Sequence, residues 1–391
     1  MRNLTFLIAI LVLLLVFGLL FIGCDNGTTG GINEITVPGN NLAEKLAWLE
    51  ENAENEGNYL VELDADESSA PVALRYGDRT GITITLKGIG ENHTISLSSN
   101  GSLFTVGSGV TLVLDNNITL KGRSGNDSGV VGAVGGTLVM NDGSVITGNA
   151  TNFGGTVYMN GGTFIMNGGT ISGNSGTGVG FERGGVFTMN GGSISDNTGN
   201  YGGGVRGSSG TFTMNGGAIS SNSSIVADAS AGRGGGGGGV LMSGETAIFI
   251  MTGGTISGNT GSRGGGVMAS TFTMRGGIIS GNTVITDGGG VVAGSFTMSG
   301  GTISGNTAGT IGGGVAVYGT FTKTGGTITG NDSEDGNVAK QNNGGNAIYA
   351  VTWNASSQSY SNIKRKQTSS GLADNLSYNG STGTFSGAWD N

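Results

Sequence analysis

The sequence predicts an all-β chain folded as a right-handed parallel β-helix, with three-strand coils of about 24 residues and a short N-terminal capping helix. Glycine supplies 84 of the 391 residues, and a unit of about 24 residues recurs with apolar side chains at fixed places. Collagen would need abundant proline, whereas this chain has 2. Disordered chains are poor in apolar residues, whereas 36% of these residues are hydrophobic. The glycines are therefore interpreted as turn residues of a repeat.

Residues 1–23 have the composition of a targeting signal. Arg2 precedes an apolar run over residues 4–22, and Cys24, the only cysteine of the chain, follows. The stretch Phe21-Ile22-Gly23-Cys24 resembles the signal of bacterial lipoproteins, which implies cleavage before Cys24 and lipidation of that residue. An uncleaved anchor is the alternative, since the run is long enough to span a bilayer. Either interpretation places the rest outside the cytoplasm, with the outer membrane or cell surface as the expected location and the membrane as a partner.

Composition and periodicity divide the chain into five segments. The predicted segments are the signal peptide at 1–23, a tether at 24–34, an N-terminal cap at 35–71, the parallel β-helix at 72–353 and a C-terminal cap or tail at 354–391. The N-terminal cap includes a helix predicted over residues 41–56, because Asn41 is followed three positions later by Glu44. Gly57 would end this helix in a left-handed conformation. Its apolar stripe would cover the open end of the strand stack, which otherwise exposes unpaired backbone groups.

The repeat closes on an asparagine throughout the predicted β-helix. One copy runs Thr211-Phe-Thr-Met-Asn-Gly-Gly-Ala-Ile-Ser-Ser-Asn222. The closing residues are Asn149, Asn174, Asn197, Asn222, Asn259, Asn282, Asn306 and Asn331. They recur every 23 to 25 residues apart from one interval of 37, which indicates extra residues chiefly within 223–239. We expect the asparagines to form a hydrogen-bonded ladder with a structural role.

Alternation along each strand separates inward from outward side chains. In residues 211–214, Phe212 and Met214 share one face and the two threonines share the other. Stacking of coils at about 4.8 Å places like on like. The expected internal columns are Phe164, Phe187, Phe212, Phe249, Phe272, Phe296 and Phe321; Ile146, Ile171, Ile194, Ile219, Ile256, Ile279, Ile303 and Ile328; and Met166, Met189, Met214, Met251, Met274 and Met298.

These motifs resemble two groups of surface proteins. Gly216-Gly-Ala-Ile219 and Phe212-Thr-Met-Asn215 are similar to the Gly-Gly-Ala-Ile and Phe-x-x-Asn repeats of chlamydial polymorphic membrane proteins. The chain over about residues 35–350 also resembles the Gly-rich β-helix surface lipoproteins of spirochaete type, whose fold is pectin-lyase-like. The resemblance implies surface display and adhesion, without a shared ligand.

Composition and motifs argue against several activities. The net charge of −9 and the lack of a basic block argue against nucleic acid as a partner. No His/Cys cluster or nonapeptide calcium repeat is present, so we expect no metal and no cofactor. The alternative function is a polysaccharide lyase or glycoside hydrolase of pectin-lyase-like fold. The acids of the repeats fall on different coils and mostly in turns, so no pair is obviously placed for that chemistry, and we expect no catalytic residue.

One position varies while its surroundings repeat, namely the residue before Gly-Gly. It is occupied by Arg183, Tyr201, Arg233, Arg263 and Asp287 on successive coils, together with Phe153 and Ile311. Stacking would align these side chains along one edge, where tyrosine could stack on sugars and arginine could fork to carboxylates. The alternative is a turn that tolerates any residue, with Arg263 simply pairing with Asp287. The predicted function is thus a cell-surface, lipid-anchored, non-catalytic binding protein, adhesin or coat protein, and its ligand a glycan or a protein on a host or neighbouring cell.

Overall fold

Short strands at the repeat spacing supply nearly all of the regular structure. The computed structural model describes residues 34–151, 154–225, 236–341, 344–354, 359–371, 374–382 and 384–390. The predicted signal peptide and almost all of the tether, including Cys24, lie outside the described residues, as does Arg233. The predicted fold class is confirmed: the chain is an all-β right-handed parallel β-helix, and its described residues form about eleven turns and one short helix that precedes them.

The first part of the chain contains the helix α1 (Leu42–Asn52) and nine strands. These are β1 (Glu34–Thr36), β2 (Asn58–Leu63), β3 (Glu67–Ser69), β4 (Val72–Leu74), β5 (Ile82–Gly88), β6 (His93–Leu97), β7 (Phe104–Gly107), β8 (Val110–Leu114) and β9 (Ile118–Lys121). The repeats follow as β10 (Val131–Val134), β11 (Thr137–Met140), β12 (Ser144–Thr147), β13 (Val157–Asn160), β14 (Thr163–Met166), β15 (Thr170–Ser172), β16 (Val179–Glu182), β17 (Val186–Met189), β18 (Ser193–Ser195), β19 (Thr198–Gly199), β20 (Val205–Gly207), β21 (Gly210–Met214), β22 (Ala218–Ser220), β23 (Ser223–Ser224), β24 (Val240–Met242), β25 (Ala247–Met251), β26 (Thr255–Ser257) and β27 (Thr260–Gly261).

In three of the remaining coils, two strands that are separate earlier in the chain merge into one strand of eight or nine residues. The strands are β28 (Val267–Met274), β29 (Ile278–Ser280), β30 (Thr283–Val284), β31 (Val291–Met298), β32 (Thr302–Ser304), β33 (Thr307–Ala308), β34 (Val315–Lys323), β35 (Thr327–Ile328), β36 (Val338–Ala339), β37 (Ile348–Asn354), β38 (Ser359–Lys366), β39 (Leu376–Asn379) and β40 (Thr384–Ser386).

Each coil contributes strands to parallel rows that run along the molecule. The coil of β13, β14 and β15 shows the pattern: β13 belongs to the first row, β14 to the second and β15 to the third. From β19 onward, a two-residue strand after the closing asparagine forms a fourth row, which the sequence pattern does not reveal. Like residues pair in register between coils, for example Phe187 with Phe212 and Ile194 with Ile219.

The three apolar columns lie in the core, as predicted. All members of the phenylalanine, isoleucine and methionine columns are at most 1% exposed. Rings from Phe164 to Phe296 stack with centres 4.6–4.9 Å apart and nearly parallel planes, which is the spacing of hydrogen-bonded strands. This continuous core explains how coils that could not fold singly are stable together.

A row of buried asparagines follows the third-row strands. In Asn222, Nδ2 donates to Oδ1 of Asn259 at 3.0 Å and to the carbonyl of Ile194 at 2.9 Å. The backbone N–H of Asn222 donates to the same Oδ1 of Asn259. We call this row the buried asparagine ladder. Its members are Asn126, Asn149, Asn174, Asn197, Asn222, Asn259, Asn282, Asn306 and Asn337, each at most 2% exposed.

The last member of the buried asparagine ladder differs from the predicted residue. Asn331 is exposed, and its backbone N–H donates to the carbonyl of Gln367. The rung is Asn337, whose Oδ1 accepts from Nδ2 of Asn306 at 2.8 Å. Both residues follow a glycine, but residues 330–336 form an extra loop, so the second Gly-Asn pair reaches the position that the regular interval assigned to the first.

The N-terminal helix is shorter than predicted. Asn41 caps it through a hydrogen bond from the Glu44 N–H, but the helix stops at Asn52 rather than extending to residue 56. Gly57 does not end it, because the guanidinium of Arg79 takes the terminal carbonyls of Ala53 and Glu50. The buried Leu42 and Leu49 join the core at the first coil. Among the described residues, no helix combines the length and the apolar character needed to cross a bilayer.

The N-terminal end of the strand stack differs from the predicted boundary. Strand β2 pairs in parallel with β5, so the stack begins within the predicted cap rather than at residue 72. At the other end, β37 continues the first row, whereas β38, β39 and β40 pair antiparallel and close it. Lys323 ends the methionine column there: it is buried, and its Nζ donates to the carbonyls of Gly371 and Asp374. Burial lowers the pKa of Lys323.

Candidate functional site

Two of the predicted edge residues form an ion pair between neighbouring coils. Nη2 of Arg263 lies 3.1 Å from Oδ2 of Asp287, and the guanidinium carbon lies 5.1 Å from the centre of the Tyr318 ring. The Asp287 carboxylate also accepts hydrogen bonds from the hydroxyls of Tyr318 and Thr310. Because the carboxylate is engaged by side chains of the preceding and the following coil, this cluster ties the coils together.

The other predicted edge residues do not complete a single strip. Tyr201 lies in the equivalent turn of an earlier coil, with the guanidinium carbon of Arg206 5.2 Å from its ring centre. Arg183 is a correction, because it lies between β16 and β17, whereas the other described edge residues precede first-row strands. Arg183 is followed by Gly-Gly-Val, the same residues that precede the first-row strands on other coils. This similarity explains why the sequence pattern aligned Arg183 with the edge residues.

From β10 onward, each first-row strand has a buried valine or isoleucine in register, and the residue after it points outward. In register, these residues are Gly132, Tyr158, Gly180, Arg206, Leu241, Met268, Val292, Ala316 and Tyr349. We call the turn that precedes each first-row strand the glycine arch, since it folds over this column. A Cβ on Gly288 would lie only 2.3 Å from Cγ2 of Val292, which requires glycine there. The arch leaves Val292 4% exposed.

The column is interrupted by a recess of about 220 Å³ beside Gly180. Val179 follows Asn174 by five positions, whereas Val205 follows Asn197 by eight, so the arch of this coil is short. The recess is lined by Tyr158, Phe181, Glu182, Arg206 and Ser208, together with Gly154 and Gly180. The short arch therefore leaves the outward face open at this coil, while the absence of a side chain at Gly180 lets the backbone of Gly154 pack against the strand.

Regular strands hold the polar groups of the recess. Tyr158 lies one coil before Gly180 and Arg206 one coil after it, in direct register. Glu182 lies two positions further along the strand of Gly180, on the same outward face. A Cβ at Gly180 would lie 2.7 Å from the carbonyl carbon of Gly154. The backbone of Gly154 thus packs directly on Gly180 and forms the floor of the recess.

The phenol of Tyr158 keeps its proton at neutral pH. Burial, the hydrogen bond that the phenol donates to Glu182 and the charge of that carboxylate raise the pKa of Tyr158 to about 12, and the positive charges of Arg183 and Arg206 act in the opposite direction. Glu182 also lies 3.9 Å from Nε of Arg183, in an exposed pair that contributes little to stability. Within the described chain, Arg206 makes no ion pair.

A wider depression of about 590 Å³ lies at the end of α1, against Glu51, Glu54 and Arg79. The guanidinium of Arg79 already donates to the helix carbonyls, so its donors close the helix. The recess beside Gly180 is therefore the better candidate site.

The acids of the repeats do not come together in a catalytic arrangement. Glu182 ends β16, Asp196 follows β18 and Asp287 lies in the turn before β31. No group of three His, Cys, Asp or Glu side chains able to hold a metal ion occurs in the described ranges.

The chain matches no protein-family model, no curated protein and no solved structure. Its parallel β-helix is read from strand pairing alone. Because one fold hosts many functions, the fold does not specify a ligand, and the recess is the feature of this chain that can.

The recess carries a sequence signal that the repeat pattern obscures. The outward residue after the valine is Tyr158, Gly180 and Arg206 on three successive coils, then mainly apolar. The short interval from Asn174 to Val179 coincides with the glycine of this series. A comparison of outward positions coil by coil would have drawn attention to this site.

Proposed function

We propose that this protein is held outside the cytoplasm by a lipid anchor on Cys24 and acts as a non-catalytic binding protein, in the manner of an adhesin or surface coat. The observation that carries the proposal is the recess beside Gly180. There, Tyr158, Glu182 and Arg206 present an aromatic ring, an acceptor and a fork of donors on rigid strands. Partly exposed polar groups held this way suit recognition of a ligand on another surface.

The chemistry of the recess favours binding over turnover. A lyase or glycoside hydrolase of pectin-lyase-like fold would need a base or a pair of carboxyls beside the substrate. Tyr158 retains its proton, and Glu182 accepts that phenol's hydrogen bond. Asp287, the acid of the other cluster, is engaged by Arg263, Thr310 and Tyr318.

The anchoring part of the proposal depends on residues 1–24, which lie outside the described residues. An apolar run ending in Phe21-Ile22-Gly23-Cys24 supports a lipidated N-terminus. The likeness of the repeats to spirochaete-type surface lipoproteins and chlamydial polymorphic membrane proteins supports display on the outer membrane or cell surface. More than one acyl chain would make the anchorage stable.

Substitution of the lipidated residue tests the proposal. Cys24→Ala should move the protein from the membrane fraction to the soluble extracytoplasmic fraction, because no acyl chain can be attached. Fractionation with an antibody measures the shift, and Asn26→Ala is the matched control that should stay in the membrane. Retention of Cys24→Ala in the membrane would instead indicate an uncleaved anchor. Shortening of a glycan incubated with the full-length protein would contradict the non-catalytic role.

A further inference from the structure

We infer that the recess beside Gly180 binds one carboxylated sugar ring of an acidic glycan, with the guanidinium of Arg206 paired to the sugar carboxylate. This inference rests on the proposed binding role and names the ligand of that site. It follows from the size of the recess, its pattern of donors and acceptors, and its charge.

The size of the recess sets the size of the bound group. Pockets for drug-sized ligands measure about 300–1,000 Å³, whereas this recess measures about 220 Å³. It therefore accepts one ring of a larger ligand, while neighbouring rings extend over adjacent coils. A polymer held ring by ring suits a repeating surface with a spacing of about 4.8 Å.

The lining combines hydrogen-bond donors and acceptors with the apolar Phe181. Glu182 offers carboxylate oxygens, Arg206 offers guanidinium N–H groups and Ser208 offers a hydroxyl. The half-buried Tyr158 adds an aromatic face and edge. Such a lining matches the ring hydroxyls of a sugar better than an apolar peptide side chain, which would leave these groups unpaired.

The guanidinium of Arg206 is the group of the recess that can pair with an anion. Glu182, the acid of the lining, lies 3.9 Å from Nε of Arg183, whereas Arg206 makes no ion pair among the described residues. Its guanidinium lies 5.2 Å from the ring centre of Tyr201, a contact that orients the side chain while leaving its charge without an acidic partner among the described residues. A guanidinium in this state can pair with a carboxylate through two parallel hydrogen bonds.

Binding of hyaluronan, which carries a carboxylate on alternate rings, tests the inference. The probes are a labelled hyaluronan oligosaccharide and its carboxyl-reduced form, in which each carboxylate becomes a hydroxymethyl group. Fluorescence anisotropy with the full-length protein in detergent measures both affinities. We expect the reduced form to bind about 10- to 100-fold more weakly, because it lacks the charge-assisted pair.

Variants locate the interaction. Arg206→Ala should weaken hyaluronan binding about 10- to 100-fold, and Arg206→Lys should restore part of it, since lysine keeps the charge and loses the fork. Arg275→Ala removes the same charge from an exposed turn between the second and third rows and should bind like wild type. Unchanged melting temperatures would show that all three variants are folded.

Each outcome is decisive for the ligand class. Equal binding of hyaluronan and its reduced form, or equal binding by Arg206→Ala and wild type, would overturn the inference. Stronger binding of polysialic acid than of hyaluronan would support a carboxylated ring and identify a sialic-acid-like source. Equal binding of polyglutamate would indicate an acidic peptide and overturn the glycan assignment. Lack of binding to every carboxylated glycan would overturn it as well, while anchoring of the wild type and its loss in Cys24→Ala would leave the proposed surface role standing.

Discussion

Two rows of asparagine side chains run along this protein at the same spacing, one buried and the other facing water. The buried asparagine ladder follows the third-row strands, and its members are at most 2% exposed. The outer row lies between the second and third rows and consists of Asn141, Asn167, Asn190 and Asn215. Both rows pass a side-chain hydrogen bond from coil to coil, yet only the first row is enclosed by protein.

The difference shows where the repeat stabilises the fold. Water can replace the bond that Asn190 makes to Asn167, because both side chains reach the surface. Bulk water does not reach the hydrogen bonds of Asn222, because its side chain is buried and Nδ2 donates to the carbonyl of Ile194 inside the coil. An unpaired buried polar group costs about 1–3 kcal/mol, whereas an exposed one costs little. Identical spacing in the sequence therefore has unequal energetic consequences.

The largest contrast should come from one substitution made inside and outside the same coil. Ile256→Asp places a carboxylate in the isoleucine column, where the side chain is 0% exposed, whereas Ile248 is 40% exposed on the outward face. We expect Ile256→Asp to lower the free energy of unfolding by about 4 kcal/mol or more. Ile248→Asp should change it by about 0.5 kcal/mol. Urea denaturation followed by circular dichroism measures both, and similar midpoints would contradict the stacked core.

Removal of a buried rung should have the next largest effect. Asn222→Ala leaves the backbone and side-chain N–H groups of Asn197, the carbonyl of Ile194 and Oδ1 of Asn259 without that partner. The expected loss in the free energy of unfolding is about 3 kcal/mol. Hydrogen exchange should show faster exchange at Asn197. A loss below about 1 kcal/mol would mean that water enters the turn and replaces the amide.

Removal of an outer rung should have the smallest effect. In Asn190→Ala, water replaces the bonds to Asn167 and from Asn215, which are 3.0 and 2.9 Å long. We expect a change within about 0.5 kcal/mol in the free energy of unfolding. The same denaturation experiment provides the value. A loss as large as that of Asn222→Ala would remove the distinction between the two rows.

The interior of the fold could be predicted because it repeats. Phe212, Ile219 and Asn222 each recur at one place in every copy, and stacking at a fixed spacing leaves one way to place them. The unpredicted parts are those where the repeat breaks. Asn331 lay at the regular interval, but the loop over residues 330–336 moves the rung to Asn337.

Contacts between residues that are distant in sequence account for the remaining differences between the predicted and the observed structure. The end of α1 depends on Arg79, which lies far beyond the helix and takes its terminal carbonyls in place of the expected glycine cap. The closing strands β38, β39 and β40 have no counterpart in the repeat, so their antiparallel direction is not apparent from periodicity.

The exterior was the least predictable part of the chain. The predicted edge strip took the residue before each Gly-Gly, and Arg183 entered it from the turn between β16 and β17, because Gly-Gly-Val follows it there as well. The recess beside Gly180 arises from the reverse cause, since a turn shortened by three positions uncovers Tyr158 and Arg206. In this protein, regular copies supply the scaffold, and a departure from regularity supplies the candidate site.

Hydrogen exchange of the full-length protein with and without hyaluronan tests that claim most directly. We expect slower exchange confined to the coils around Tyr158, Gly180 and Arg206, with no change at the flat second-row face near Ile248. Protection centred on that flat face, on α1 or on the Arg263–Asp287 cluster, with none at the recess, would contradict it.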